Sequence, residues 1–330
     1  NTNFLIENIK IEQIPFKSRV NGDVIRWRKP SHFPSRMRIL RLRQGLMRGI
    51  REWFDKKKFI ETETPFLVSA PSPEAQIFPV KTDSGYLITS PEFQMKRLLV
   101  GGFERIYQLA RCFRRDEIGP HHNPEFTLLE WYRSWEPLEV MIDDLEQLVM
   151  YLTKKVDEKN FCKHIPPPPW PRIKVRDLFK NHLSIELDGA ETAYELIEKA
   201  KNSGFGKLLL NFSHTSKLTN SLAYEQIFYQ LWNKIENDLS DSTPLFVYDW
   251  PLILPSLARK SCEDSKFVNR VELYVKGMEL ANGFGELTDL VEQRHRFETD
   301  LKNRSKLGFE PIPLDEKFLN SLEQGLPRSS

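Results

Sequence analysis

Two stretches near the centre of the chain, residues 105–114 and 125–132, alternate apolar and polar side chains around a connector rich in turn residues. That pattern allows little besides a pair of β-strands. On strict alternation Gln108, Ala110, Cys112 and Arg114 share one face of the first strand, and Phe126, Leu128, Glu130 and Tyr132 share one face of the second. If the two faces coincide, a guanidinium, an aromatic ring, a carboxylate and a phenol stand over one sheet. An ordinary core face carries no such set. The plainer alternative is a cross-strand ion pair between Arg114 and Glu130, which alternation alone leaves open.

Helical patterns flank the strands. Ser35 can cap a helix in which Ile39, Leu42, Leu46, Ile50, Trp53 and Phe54 recur at helical spacing. Its opposite face carries Arg36, Arg38, Arg41, Arg43, Arg48 and Arg51 and reads as a solvated surface. Tyr86 to Thr89 reads as a strand running into Ser90-Pro91-Glu92, a helix start. Further helices are expected over 138–153, 190–201, 222–239 and 291–305, and further strands over 245–248 and 271–281. Residues 1–35 form an N-terminal extension with a short strand at 24–28. The run Pro166 to Pro169 is a stiff connector within a mostly helical insertion, 160–242. Long helices with hairpin-joined strands predict an α+β fold, an antiparallel sheet flanked by helices rather than a βαβ succession.

Composition excludes several classes. At 330 residues, with 40% hydrophobic and 12% aromatic side chains, the chain can bury a sizeable core. Lys and Arg total 48 against 46 acidic residues, so no general basic coat for nucleic acid is indicated. No uncharged apolar run reaches the ~18 to 20 residues of a membrane span, and the N-terminal stretch lacks a secretory apolar region. Cys112, Cys162 and Cys262 are scattered. A disulfide framework or zinc cluster is not expected, and a reducing, cytoplasmic setting is. The spacings G-x-x-x-x-G-K-S/T, G-x-G-x-x-G and H-E-x-x-H are all missing.

One more segment carries chemistry. Glu279-Leu280-Ala281-Asn282-Gly283-Phe284-Gly285-Glu286 sets two carboxylates seven apart around two glycines, as in a strand that opens into a close backbone approach. Such carboxylates can hold Mg²⁺ and leave its remaining positions to substrate phosphates. Plain turns use the same residues.

Together these segments resemble the catalytic core of class II aminoacyl-tRNA synthetases, and its lysyl branch in particular. Phe113 to Glu117 followed by His122 to Thr127 resembles that class's second motif. Phe59 to Val68 is similar to the first motif, normally a dimer-interface element, and Gly277 to Asp289 to the segment lining the lysyl pocket. The resemblance covers residues 36–330. Leu129-Glu130-Trp131-Tyr132-Arg133 and Glu279 to Phe284 look like the PoxA/GenX family of elongation factor P β-lysine ligases, and Ser90 stands where tRNA-charging enzymes usually have Ala. The resemblance implies ATP-dependent activation of (R)-β-lysine as an adenylate, its ligation to a lysine side chain of elongation factor P, use of Mg²⁺, and a homodimer. It also implies that tRNA charging is not the task, since 35 residues cannot supply the anticodon-binding β-barrel that lysyl-tRNA synthetases carry before the core.

Site roles follow from the same resemblance. Arg114 would hold the α-phosphate. Asp116, where the family usually has Glu, would contact adenine, and Phe126 would stack on it. Asn123 and Leu280 would line the nucleotide site, and His122 would reach the γ-phosphate. Ser90, Glu92, Glu130, Tyr132, Asn282 and Glu286 would line the amino-acid site, their carboxylates meeting the substrate's two ammonium groups. Glu279 would hold Mg²⁺ with help from Glu286. The class's third motif, a Gly-rich strand with an Arg that packs on adenine, is expected after Ser330, where the sequence ends, and Arg328 is not given its role. The expectation is a sequence that stops short of a longer protein. A shortened lysyl-tRNA synthetase-like enzyme and a non-catalytic binding paralogue stay open as alternatives.

Overall fold

The computed structural model describes residues 33–119, 121–156, 165–212, 218–239 and 243–330. The strand expected over 24–28, nearly all of the 1–35 extension, and Cys162 lie outside them. The chain divides into two compact units, 1–48 and 49–330. Helix α1 (Phe33–Lys56) begins before Ser35, so Ser35 lies within its first turn and is not its cap. Trp53 and Phe54 of its apolar stripe are buried, whereas Ile39 and Leu46 are exposed. The stripe is a core face only toward its C-terminal end.

Within 49–330 the central hairpin forms as its alternation requires. Strands β5 (Arg105–Phe113) and β6 (Glu125–Arg133) pair antiparallel, with Ile106 opposite Tyr132, Gln108 opposite Glu130, Ala110 opposite Leu128 and Cys112 opposite Phe126. The two chemistry-bearing faces therefore coincide. The other face, with Tyr107 and Trp131, packs on the end of α1. Phe54 stacks on Tyr107 with ring centroids 4.3 Å apart. Short β1 (Ile60–Glu61) adds to β5 in parallel. Strands β2 (Leu67–Val68), β3 (Val80–Thr82) and β4 (Gly85–Leu87) make a small antiparallel sheet, and β4 leads into helix α2 (Glu92–Val100).

Helix α3 (Leu138–Val156) follows the hairpin. It is fixed to the end of β6 by a buried two-point ion pair, Arg133 to Asp144 at 2.5 and 3.0 Å. Such a pair sets the geometry of the neighbouring Tyr132. The proline run then enters β7 (Arg172–Lys174), which pairs parallel with β8 (Leu245–Pro251). The stretch 172–242 is therefore not wholly helical. One parallel pairing enters each of the two larger sheets where the sequence predicts antiparallel strands, so the fold is α+β with mixed sheets.

Helices α4 (Val175–Leu183), α5 (Ala193–Asn202) and α6 (Asn220–Asp238) lie between β7 and β8. Val175, Phe179, Tyr224, Phe228 and Trp232 pack with Trp250, Val268 and Tyr274 in one core, continuous with the sheet.

The strand expected over 271–281 is two strands, β9 (Phe267–Val275) and β10 (Met278–Phe284). Lys276 (φ 55°) and Gly277 (φ 70°) both take the left-handed conformation of a tight hairpin turn. Non-glycine residues rarely adopt it, so Lys276 reads as strand interior. A Cβ at Gly277 would stand 2.6 Å from the Glu236 carbonyl oxygen, which excludes any other residue there without movement of α6. Helices α7 (Leu290–Lys306) and α8 (Glu316–Glu323), capped by Asp289 and Asp315, close a second core with Phe93, Phe297 and Phe318. The sequence pattern did not single out α8.

Candidate active site

The site grows from the shared hairpin face. Glu130 projects from β6 into an enclosed position where Ser90 Oγ donates to Oε1 at 2.5 Å and the Tyr132 hydroxyl donates to Oε2 at 3.1 Å. Ser90 and Tyr132 arrive by different routes, one from the turn before α2 and the other two residues along the same strand. Ser90 Oγ also accepts from the Glu92 backbone N–H at 3.0 Å. It thus serves the helix start and the site at once. Both donors to Glu130 are neutral hydroxyls, and burial together with Glu92 pushes its carboxyl up to about 8.

The neighbouring carboxylates are differently served. Glu92 and Glu286 both bind Lys96, at 2.5 Å each, and the Lys96 side chain is fully buried. Burial alone would lower the pKa of this ammonium, but Glu286 and Glu92 outweigh that and raise it. Glu286, 2% exposed, is pushed up to about 7 by burial, with Lys96 pulling it back. Glu74, from the loop after β2, is raised by burial and by Glu92. It lines the recess with Ser72, Thr89, Ser90 and Glu92.

Arg114 stands at the open end of the face. Its Nε donates to the Thr89 carbonyl at 3.3 Å, its Nη1 reaches Glu117 at 3.3 Å, and its guanidinium lies 5.2 Å from the Phe126 ring centroid. The cross-strand pair with Glu130 does not form, because Gln108 stands opposite Glu130 in the register. Asp116 turns to Arg115 at 3.3 Å, and Asp116, His122 and Asn123 lie exposed on the connecting loop.

The third group is on β9 and β10. Arg270, Glu272 and Tyr274 alternate onto one face. Arg270 pairs with Glu272, the Tyr274 hydroxyl donates to Glu272 at 2.6 Å, and Arg270 Nε donates to Asn282 Oδ1 at 3.3 Å. Trp250 carries the Arg270 guanidinium 4.4 Å from its ring centroid. The register slips between Glu279 and Ala281, leaving Leu280 as the extra residue of a bulge, exposed. Glu279 is exposed on the edge strand β10, where the neighbouring residues still strip part of its hydration. That desolvation and the adjacent Glu272 push its carboxyl up to about 7, while Arg270 and Arg114 draw it back. Among the described residues no three His, Cys, Asp or Glu side chains gather in a metal-holding group. Glu279 fits a Mg²⁺ that takes one protein carboxylate and fills its other positions with phosphates and water. Glu286 is committed to Lys96 and does not join it.

Lys96, Arg270, Glu272 and Glu74 are the residues that sequence reasoning missed. A signal existed for Lys96, four residues after Glu92 on a helix, but that spacing usually marks a surface pair.

The raised Glu130 carboxyl has a consequence for stability. A carboxyl held above its unfolded-state pKa stabilises the fold at low pH, and this contribution is lost as pH rises through the folded value. Stability should fall as pH rises toward about 8, and Glu130→Gln should flatten that fall. Urea unfolding of both proteins at about pH 5.5 and about pH 8.5 checks this. Equal pH slopes would show that Glu130 ionises freely.

No helix among the described residues is long and apolar enough to cross a membrane. Comparison with known proteins agrees with the geometry. The family described as tRNA synthetases class II (D, K and N) matches residues 24–330. The elongation factor P–(R)-β-lysine ligase of Erwinia tasmaniensis is 37% identical over 298 residues, covering 87% of this chain and 85% of that protein. Its counterpart in Klebsiella pneumoniae subsp. pneumoniae is 35% identical over 314 residues, 92% of this chain and 89% of that protein. That of Pectobacterium atrosepticum is 34% identical over 298 residues. On this evidence the chain belongs to the class II (D, K and N) tRNA synthetase family and, within it, to the branch of the elongation factor P–(R)-β-lysine ligases.

Proposed function

We propose that this protein is an ATP-dependent ligase that activates (R)-β-lysine and transfers it to a lysine side chain of elongation factor P. The observation that carries the reading is an enclosed carboxylate, Glu130, with only hydroxyl partners, on the same hairpin face that ends in Arg114. A desolvated carboxylate whose hydrogen-bond partners are neutral hydroxyls favours an ammonium ligand, and Arg114 sets a phosphate-binding group at the mouth of the same face. The relatives' names supply the amino acid and the acceptor.

In this reading one substrate ammonium takes the Glu130 carboxylate, with Ser90 and Tyr132 fixing its direction, and Glu92, Asn282 and Glu286 line the rest of the chain. Phe126 stacks on adenine, and Asp116, Asn123, His122 and Leu280 close the nucleotide site. The substrate carboxylate attacks the α-phosphorus in line and pyrophosphate leaves, while Arg114 offsets charge that develops on the phosphate oxygens. The neutral amine of the acceptor lysine then attacks the mixed anhydride, forming an amide and releasing AMP. Glu279 would hold Mg²⁺, which when bound supplies charge neutralisation at the phosphates.

A homodimer belongs to the proposal. Ile60, Phe66 and Leu67, in the segment similar to the first motif, leave apolar side chains exposed in the single chain. A cytoplasmic location belongs to it too, in keeping with free Cys112 and Cys262.

The test is ATP–pyrophosphate exchange with (R)-β-lysine and L-lysine side by side, followed by intact-mass analysis of elongation factor P. Exchange favouring (R)-β-lysine and a mass gain of one lysyl unit on the factor are expected. Lysylation of tRNA with no mass gain on the factor would overturn the reading.

A further inference from the structure

Behind the loop that lines the amino-acid recess lies a second cavity, of about 240 Å³, which the activation chemistry does not use. The β3–β4 hairpin, the loop after α7 and Arg115 enclose it. Phe78, Tyr86 and Phe309 give it aromatic walls, and Lys81, Arg115 and Arg304 bring three cations against one lining carboxylate, Glu310. Phe309 stands edge-on to Phe78 with centroids 4.7 Å apart. The guanidiniums of Arg115 and Arg304 each lie 5.6 Å from the Phe78 ring centroid.

The cations are poorly matched. Arg304 is 3% exposed. Its Nη1 donates to the carbonyls of Glu74 at 2.9 Å and Ile77 at 3.0 Å, and its Nε has no partner. Burial and the nearby Arg115 both lower its pKa. Lys81 meets Glu310 at 3.7 Å, both largely exposed, and Arg115 meets Asp116 at 3.3 Å, also exposed. Two guanidiniums that repel one another beside a partly dry aromatic wall form a recess short of negative charge. An anion entering it can take fork-shaped hydrogen bonds.

Position selects the anion. Arg114 and Arg115 are successive residues at the end of β5, one turned to the hairpin face and the other to this cavity. An acceptor lysine reaching an anhydride beside Arg114 brings its chain neighbours past Arg115, at about 3.3 Å per residue. A recess of this size admits one or two side chains, not a run of backbone phosphates.

We propose that the cavity receives a carboxylate side chain of the acceptor protein, from a residue close to the lysine that is modified. This rests on the acceptor reading above. Arg304 also pins the loop over 74–77, and Arg115 pairs with Asp116 of the nucleotide site, so the test uses Lys81→Glu and Phe309→Ala, neither of which touches the activation site. Both variants should keep the wild-type rate of ATP–pyrophosphate exchange with (R)-β-lysine. Their KM for elongation factor P should rise about tenfold or more with little change in kcat. Sodium chloride should raise the wild-type KM and leave that of Lys81→Glu nearly flat. Changing one acidic residue beside the acceptor lysine to lysine should restore modification by Lys81→Glu.

An unchanged KM for the factor in both variants overturns the inference and leaves the acceptor reading standing. So does a parallel loss of exchange, which would place the cavity in activation instead. RNA inhibition of the wild type that Lys81→Glu relieves would assign the cavity to phosphates and also overturn it. A wild-type protein that exchanges but never modifies the factor removes the acceptor reading, and this inference with it.

Discussion

Arg114→Ala should cut ATP–pyrophosphate exchange by about 10²- to 10³-fold, the usual cost of losing a charged group aimed at a developing oxyanion. Folding should barely register the change. In the free protein the Arg114 guanidinium meets the Thr89 carbonyl and Glu117, at 3.3 Å each, and the Phe126 ring, in a half-open position. A partly exposed pair of this kind is worth about 0–1 kcal/mol. Arg114→Lys should recover little of the rate, because a single ammonium cannot reproduce a planar fork against phosphate. Exchange kinetics and thermal unfolding on the same preparations separate the two effects. Wild-type exchange in Arg114→Ala would remove the phosphate role. A fall in Tm that accounts for the whole loss would make the residue structural.

Lys96→Met should be the most destabilising single change in the site, by about 3–5 kcal/mol, the usual cost of breaking a buried ion pair from one side. It strips the only ammonium shared by Glu92 and Glu286 and leaves two carboxylates facing each other out of water. The loss should depend on pH with a definite sign. Without Lys96 the Glu286 carboxyl, already up at about 7, rises further. At about pH 5 holding its proton costs little relative to the unfolded chain, whereas at about pH 8 the fold must keep a proton that the unfolded carboxyl has lost or else bury the charge. Denaturant unfolding should therefore show a smaller deficit at the lower pH, and Glu286→Gln in the same background should recover part of it. An equal deficit at both pH values would mean that packing of the lysine stem, not charge, sets the cost.

The hairpin and its two facing rows were legible because a period-two pattern admits one register once both faces carry marked residues. Glu130, Tyr132 and Arg114 could be named on that ground before any pairing was known. What fills the space between them was not legible. Lys96 and Glu286 lie far apart in the chain, and nothing in either stretch announces that one meets the other. One expectation went astray for that reason. A carboxylate offered to a metal was already held by a lysine, and a helix-start glutamate turned out to share it. The split of 271–281 into two strands hides behind a lysine in a left-handed turn, a conformation that residue type does not advertise. Strand β7, three residues long after a proline run, is too brief to show alternation. The α1 stripe shows the opposite limit, since Ile39 and Leu46 carry the right spacing yet remain exposed. Periodicity finds an apolar face, not what covers it.

The shared ammonium of Lys96 also bears on how such a sequence can drift. Its two partners sit in distant segments, and each bond constrains all three positions, so a change at Glu92, Lys96 or Glu286 alone leaves an odd charge in the interior. Substitutions at these sites should therefore arrive as matched sets in related sequences, behaving as a single inherited character.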